Sequence, residues 1–95
     1  MAHMTFHIDK ADDYGNSMLI VAAQNGNIKA SKLLIRKGAN PNHQNNQGQT
    51  ALHFAMAYNF YELGSWLADS EEGAGADDAV ENMHGLGPYD GLSPE

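Results

Sequence analysis

The residues best suited to acid–base or metal chemistry are five histidines, His3, His7, His43, His53 and His84. Their spacing supports neither use. His3 and His7 are four apart, the separation that puts two ligands on one helix face, but their segment has no helical period. A functional metal site is not expected there, and at most adventitious nickel or zinc binding. His53 has no nucleophile or second base near it in sequence, so its expected role is structural. The acidic residues Asp69, Glu71, Glu72, Asp77, Asp78 and Glu81 lack the alternating oxygen ligands and closing glutamate of a calcium-binding helix-loop-helix. They read as a solvated loop, with docking of a basic partner as the functional alternative. With no cysteine, a disulfide framework and a thiolate zinc site are both excluded. No glycine-rich phosphate loop or nucleophile elbow occurs. The expectation is a chain without catalysis, cofactor or bound metal.

Charge narrows the partners. Twelve Asp and Glu against five Lys and Arg give a formal net charge of -7. Nucleic acid and anionic membranes, which reward clustered cations, are disfavoured. A protein with a neutral or basic surface is the natural partner left. No apolar run approaches the roughly 20 residues of a membrane span. Nothing at the N-terminus reads as a signal peptide, and Met1-Ala2-His3-Met4 looks like cloning residues. An intracellular protein, cytoplasmic or nuclear, is expected.

The elements repeat. Gly15 and Gly48, Leu19 and Leu52, Ala22 and Ala55, and Leu34 and Leu67 all stand 33 residues apart. A period of that size marks stacked helical repeats. In the first unit, Asp12 to Asn16 is turn chemistry around Gly15, and Ser17 is placed to cap a short helix bearing Met18, Leu19, Ala22 and Ala23. Asn25-Gly26-Asn27 breaks it, and a second helix from Ile28 to Lys37 should bury Ala30, Leu33 and Leu34. In the second unit, Asn45 to Gln49 forms the turn, Thr50 caps a helix from Ala51 to Tyr58, and Asn59 replaces Gly26 at the left-handed position. A helix from Tyr61 to Ala68 follows, burying Leu63, Trp66 and Leu67, with Gly64 inside it for close packing. The register then slips to 37 residues, as Gly38-Ala39-Asn40 finds its echo in Gly75-Ala76-Asp77, so four residues are added within 69–74. A mobile acidic loop is expected there.

Gly48-Gln49-Thr50-Ala51-Leu52-His53, followed by Ala55, resembles the ankyrin repeat, differing from its Gly-x-Thr-Pro-Leu-His mainly by Ala51 for Pro. The first unit carries Ser17 for Thr and Ile20 for His. The third keeps Gly85, Pro88 and Tyr89-Asp90, with Gly87 in place of the capping Thr. The resemblance implies an all-α, ankyrin-like helix-turn-helix repeat stack with projecting hairpin-like turns. Residues 1–11 are then a loosely ordered tail, and 12–95 the repeat domain. Its units are 12–44, 45–81 with the insertion near 69–74, and an incomplete third, 82–95, holding at most one short helix that starts at Pro88.

The resemblance also implies that His53 bonds to the turn backbone and to Thr50. It implies protein–protein binding through the turn tips and inner helices. Residue by residue, that surface is Asp13, Tyr14, Asn16, Gln24 and Asn25, then Asn46, Gln47, Gln49, Ala57 and Tyr58, then Met83, His84 and Leu86. Tyr14 and Tyr58 are the expected aromatic anchors. The alternative is a structural role, in which the chain packs against further repeats or against itself and binds no partner independently.

Overall fold

The computed structural model describes residues 7–94. Among them lie four helices and no strand: α1 (Met18–Gln24), α2 (Ile28–Arg36), α3 (Ala51–Ala57) and α4 (Tyr61–Ala68). Helices of seven to nine residues cannot stand alone in water, so caps and packing must hold them. Ser17 Oγ accepts the Ile20 N–H, Asn27 Oδ1 the Ala30 N–H and Thr50 Oγ1 the His53 N–H. Only α4 lacks a side-chain cap bond.

Packing follows the repeat. α1 lies against both α2 and α3, and α3 against α4. The shared core is Leu19, Ile20, Ala23, Leu52, Ala55, Leu63 and Leu67, with Phe54 at its margin. Ala23 and Ala55 are fully buried; their small side chains let the helices approach. A Cβ at Gly64 would collide with Met56 Sδ, in keeping with the close α3–α4 approach expected of it. Asn59 takes the expected left-handed conformation, at φ 64°.

Several expectations need correction. Leu33 is 49% exposed, whereas Ser31 is fully buried with its hydroxyl donating to the Asn27 carbonyl. The helix therefore turns a different stripe inward, and Leu33 looks away from the second unit. Met18 is 38% exposed for the same reason, as a residue on the outer side of the first unit. Trp66 is half-buried at the core edge, with Lys32 Nζ 5.7 Å from its ring centre. The loop after α4 is exposed but internally tied: Asp69 Oδ1 accepts the Glu71 and Glu72 N–H groups, and Ala74 N–H reaches the Trp66 carbonyl.

Pro88 starts a turn rather than a helix. Asp90 N–H donates to the Gly87 carbonyl, and Asp90 Oδ2 accepts the Gly87 N–H in return. Glycines at 87 and 91 flank this turn and weaken any helical alternative. At the other end, His7–Lys10 form a turn, and Asp9 Oδ1 accepts the Asn40 N–H at 2.8 Å. That bond repeats one unit later, where Asn42 Oδ1 accepts the Asp77 N–H at 2.7 Å. The lead-in thus keeps the register of the repeats. Residues 1–6, including His3 and the four N-terminal residues read as cloning residues, lie outside the described chain.

Candidate functional site

Three turns share one hydrogen-bond plan. Asp12, Asn45 and Asn82 each donate their N–H to the carbonyl four residues on, at 2.9–3.0 Å. Each also uses its side-chain oxygen to accept the N–H groups two and four residues ahead. A short polar side chain that mimics a backbone turn is what this geometry requires. Neighbouring tips are then stitched together, Asn46 N–H to the Tyr14 carbonyl and Met83 N–H to the Gln47 carbonyl, both at 2.9 Å. Gly15 and Gly48 take positive φ, and a Cβ on either would lie within 3 Å of the next tip's backbone. Glycine is forced twice over at these positions.

Between the tips and α1 and α3 runs a groove of about 550 Å³. Tyr14, Asn16, Gln24, Asn46, Gln47 and Gln49 of the expected surface line it, so the structure brings six of the thirteen together. Asn45, Phe54, Leu92 and Ser93 line it as well and escaped sequence reasoning. Asn45 was legible in principle, since it recurs as Asp12 and Asn82. Leu92 and Ser93 were not, because their place depends on the chain folding back after Pro88.

The amides divide into two groups. Asn45 Nδ2 donates to Asn16 Oδ1 at 2.9 Å, Asn82 Nδ2 to Gln49 Oε1 at 3.1 Å and Asn46 Nδ2 to the Asp13 carbonyl at 3.1 Å. Gln49 is only 5% exposed and also donates to the Leu92 carbonyl. It was expected on the contact surface and is instead a buried brace, because its longer side chain reaches under the third turn. Among the described residues, the Gln24 and Gln47 side chains make no internal hydrogen bond.

The remaining expected residues lie elsewhere. Asp13, Met83 and His84 are exposed on the tips, and Leu86 is half-buried. Asn25 borders a hollow on the opposite side of α1, and Ala57 lines another beside Tyr61 and Tyr89. Tyr58 is 47% exposed at the end of α3, its ring 5.8 Å from Phe54 and 6.3 Å from Phe60, and it does not line the groove. Tyr14, 74% exposed, is the aromatic that does.

His53 fills the structural role expected of it. Its Nδ1 accepts the Thr50 hydroxyl at 2.8 Å and its Nε2 donates to the Leu86 carbonyl at 2.9 Å, the tautomer this network requires. Burial pushes its pKa below the ordinary value, against weaker opposing pulls from Leu86 and Asp90. A neutral, doubly bonded ring is a poor proton shuttle. Among the described residues, no three His, Asp or Glu side chains cluster as a metal would require.

The family model described as "Ankyrin repeats (3 copies)" matches residues 3–81. A protein of Treponema pallidum (strain Nichols), whose name describes it as ankyrin repeat-containing, is 38% identical over 76 residues, 80% of this chain and 24% of that protein. An ankyrin repeat protein of Acanthamoeba polyphaga mimivirus is 44% identical over 43 residues, 45% of this chain and 6% of that one. The chain therefore spans under a quarter of the length of either relative. Among solved structures, the ankyrin repeat domain of Bcl-3, a member of the IkappaB protein family, superposes with a TM-score of 0.82 at 32% identity. That match covers 95% of this chain and 38% of the Bcl-3 chain.

Proposed function

This chain belongs to the ankyrin repeat family, and we propose that it is a non-enzymatic binding module that holds a protein partner in the groove between its turn tips and inner helices. Ankyrin repeats are in general protein-interaction modules. The observation that carries the reading for this chain is the division of labour among the groove amides. Asn16, Asn45, Asn46 and Gln49 are committed inside the fold and set the groove's shape. Tyr14, Gln24 and Gln47 are left to face a partner.

The mechanism is rigid presentation. Side chains already held in place lose little entropy on docking, so more of each contact appears as affinity. Amides offer a donor and an acceptor at once, which suits the backbone of an extended protein segment. Tyr14 supplies the large, stiff, amphipathic surface that anchors interfaces. Acidic residues at Asp12, Asp13 and around 69–81 favour a partner with a basic surface and speed its approach. Replacing Tyr14 and Gln47 together by Ala is the test: binding should fall at least tenfold while the helical circular dichroism spectrum is unchanged. A partner held equally by both chains would place the site elsewhere.

A further inference from the structure

The groove already holds one backbone carbonyl, and the chain itself supplies it. Leu92 C=O accepts Gln49 Nε2 at 2.8 Å and Asn82 Nδ2 at 3.0 Å. Both donor residues are almost fully buried, and Asn82 Nδ2 also donates to Gln49 Oε1 at 3.1 Å. Asn82 thus spends one amide hydrogen on its neighbour and the other on the carbonyl. Two side-chain amides that hold each other and close on one oxygen make a carbonyl clamp.

The same pair occurs one repeat earlier. Asn16 and Asn45 stand where Gln49 and Asn82 stand in the later units, and Asn45 Nδ2 donates to Asn16 Oδ1 at 2.9 Å. Asn45 Oδ1 is fixed by the Gln47 and Gln49 N–H groups, as Asn82 Oδ1 is by those of His84 and Leu86. What the earlier pair lacks is the oxygen. Among the described residues, Asn16 Nδ2 and the second hydrogen of Asn45 Nδ2 meet no acceptor, and both residues are half-buried on the groove wall. The chain does not fill the place itself. Ala55, the counterpart of Leu92, lies inside α3 with its carbonyl accepting the Phe60 N–H.

We propose that Asn16 and Asn45 take a backbone carbonyl of an extended partner segment lying in the groove, as Gln49 and Asn82 take that of Leu92. This rests on the groove as the partner site and adds which group is read there. The occupant is a neutral carbonyl rather than a carboxylate: among the described residues, no charged side chain lines the groove to offset a desolvated anion. Tyr14, Gln24 and Gln47 are left for the side chains on either side of that carbonyl. With the later clamp filled from within, the groove takes one segment per chain.

Linear peptides selected from a random library against the whole immobilised chain are the probe, with affinities read by calorimetry. Asn16→Asp keeps the oxygen to which Asn45 donates and removes the amide donor. Asn16→Gln rebuilds the pair that Gln49 and Asn82 form. With circular dichroism unchanged, binding should fall about tenfold in Asn16→Asp and stay within about twofold in Asn16→Gln. Replacing a peptide amide by an ester weakens the carbonyl as an acceptor. At one peptide position this should weaken wild-type binding, and there it should add little in Asn16→Asp, because the two changes remove the same bond. An ester effect that persists in full in Asn16→Asp overturns the proposal. Peptides that bind wild-type and Asn16→Asp alike but weaken with Tyr14→Ala/Gln47→Ala overturn the carbonyl site and leave the groove reading standing. Peptides indifferent to both changes, or a library that yields none, overturn both.

Discussion

The ring of His53 joins two repeats: its Nε2 donates to the carbonyl of Leu86, 33 residues away, at 2.9 Å. Its other nitrogen accepts the hydroxyl and the backbone N–H of Thr50, at 2.8 and 3.3 Å. One fully buried side chain thus closes the start of α3 and carries the turn of the following unit. The first unit has Ile20 at this position, and there Ser17 caps α1 without a reciprocal partner.

His53→Ala should therefore destabilise the chain by about 2–4 kcal/mol, since it opens a cavity and strands two buried polar groups. Urea denaturation followed by circular dichroism reads the loss. A change under about 0.5 kcal/mol, the scale of an ordinary surface substitution, would contradict the assigned role.

Acid should weaken the fold through the same residue. The folded-state pKa of His53 is lowered by burial from its ordinary 6.5, so the unfolded chain binds the proton more readily. Stability from this group is present above about 6.5 and is lost as pH falls from there toward the folded value. A protonated Nδ1 cannot accept the Thr50 hydroxyl, which gives the same direction. The melting temperature should fall between about pH 7 and pH 5, and less steeply in His53→Gln, which does not titrate.

Gly48→Ala and Gly85→Ala form a matched pair. Both positions have positive φ, at 78° and 75°, so both substitutions carry about 1–2 kcal/mol of backbone strain. At Gly48 the added carbon also lies 2.8 Å from Met83 N and 2.9 Å from Asn82 Cα, neither of which can yield without moving the third turn. At Gly85 nothing lies in the way. Gly48→Ala should cost more than Gly85→Ala by over about 1 kcal/mol in chemical denaturation. Equal costs would mean that the third turn does not pack against the second.

Much of this fold was legible because repetition repeats its physics. Gly15 and Gly48 marked turns, Ser17 and Thr50 marked caps, and the helix starts at Met18 and Ala51 followed from them. The outward turn of Leu33 was less legible, since a short helix with Ala30, Leu33, Leu34 and Ile35 offers several apolar stripes. Which stripe is buried depends on the neighbouring unit rather than on the period. Gln49 illustrates a different limit: an amide at a turn tip looks solvent-facing in sequence, and only the returning segment at Leu92 and the turn at Asn82 make it interior. The outcome for Pro88 rests on the same returning segment.

That difference in burial has a measurable counterpart. Leu67, fully buried between the units, should cost about 2–5 kcal/mol when replaced by Ala. Leu33→Ala, at a half-exposed position, should cost under about 1 kcal/mol by urea unfolding. Comparable losses would restore Leu33 to the core.

Whether the groove beside Tyr14 holds a protein partner can be read by affinity capture. The immobilised chain, its Tyr14→Ala/Gln47→Ala variant and its Tyr58→Ala variant would be exposed to the same lysate, with bound proteins identified by mass spectrometry and their affinities measured. A protein should be retained by the wild-type chain, lost or weakened at least tenfold by the groove variant, and kept by Tyr58→Ala, since Tyr58 lies outside the groove. A protein captured equally by all three, or lost only with Tyr58→Ala, would contradict the groove as the binding site.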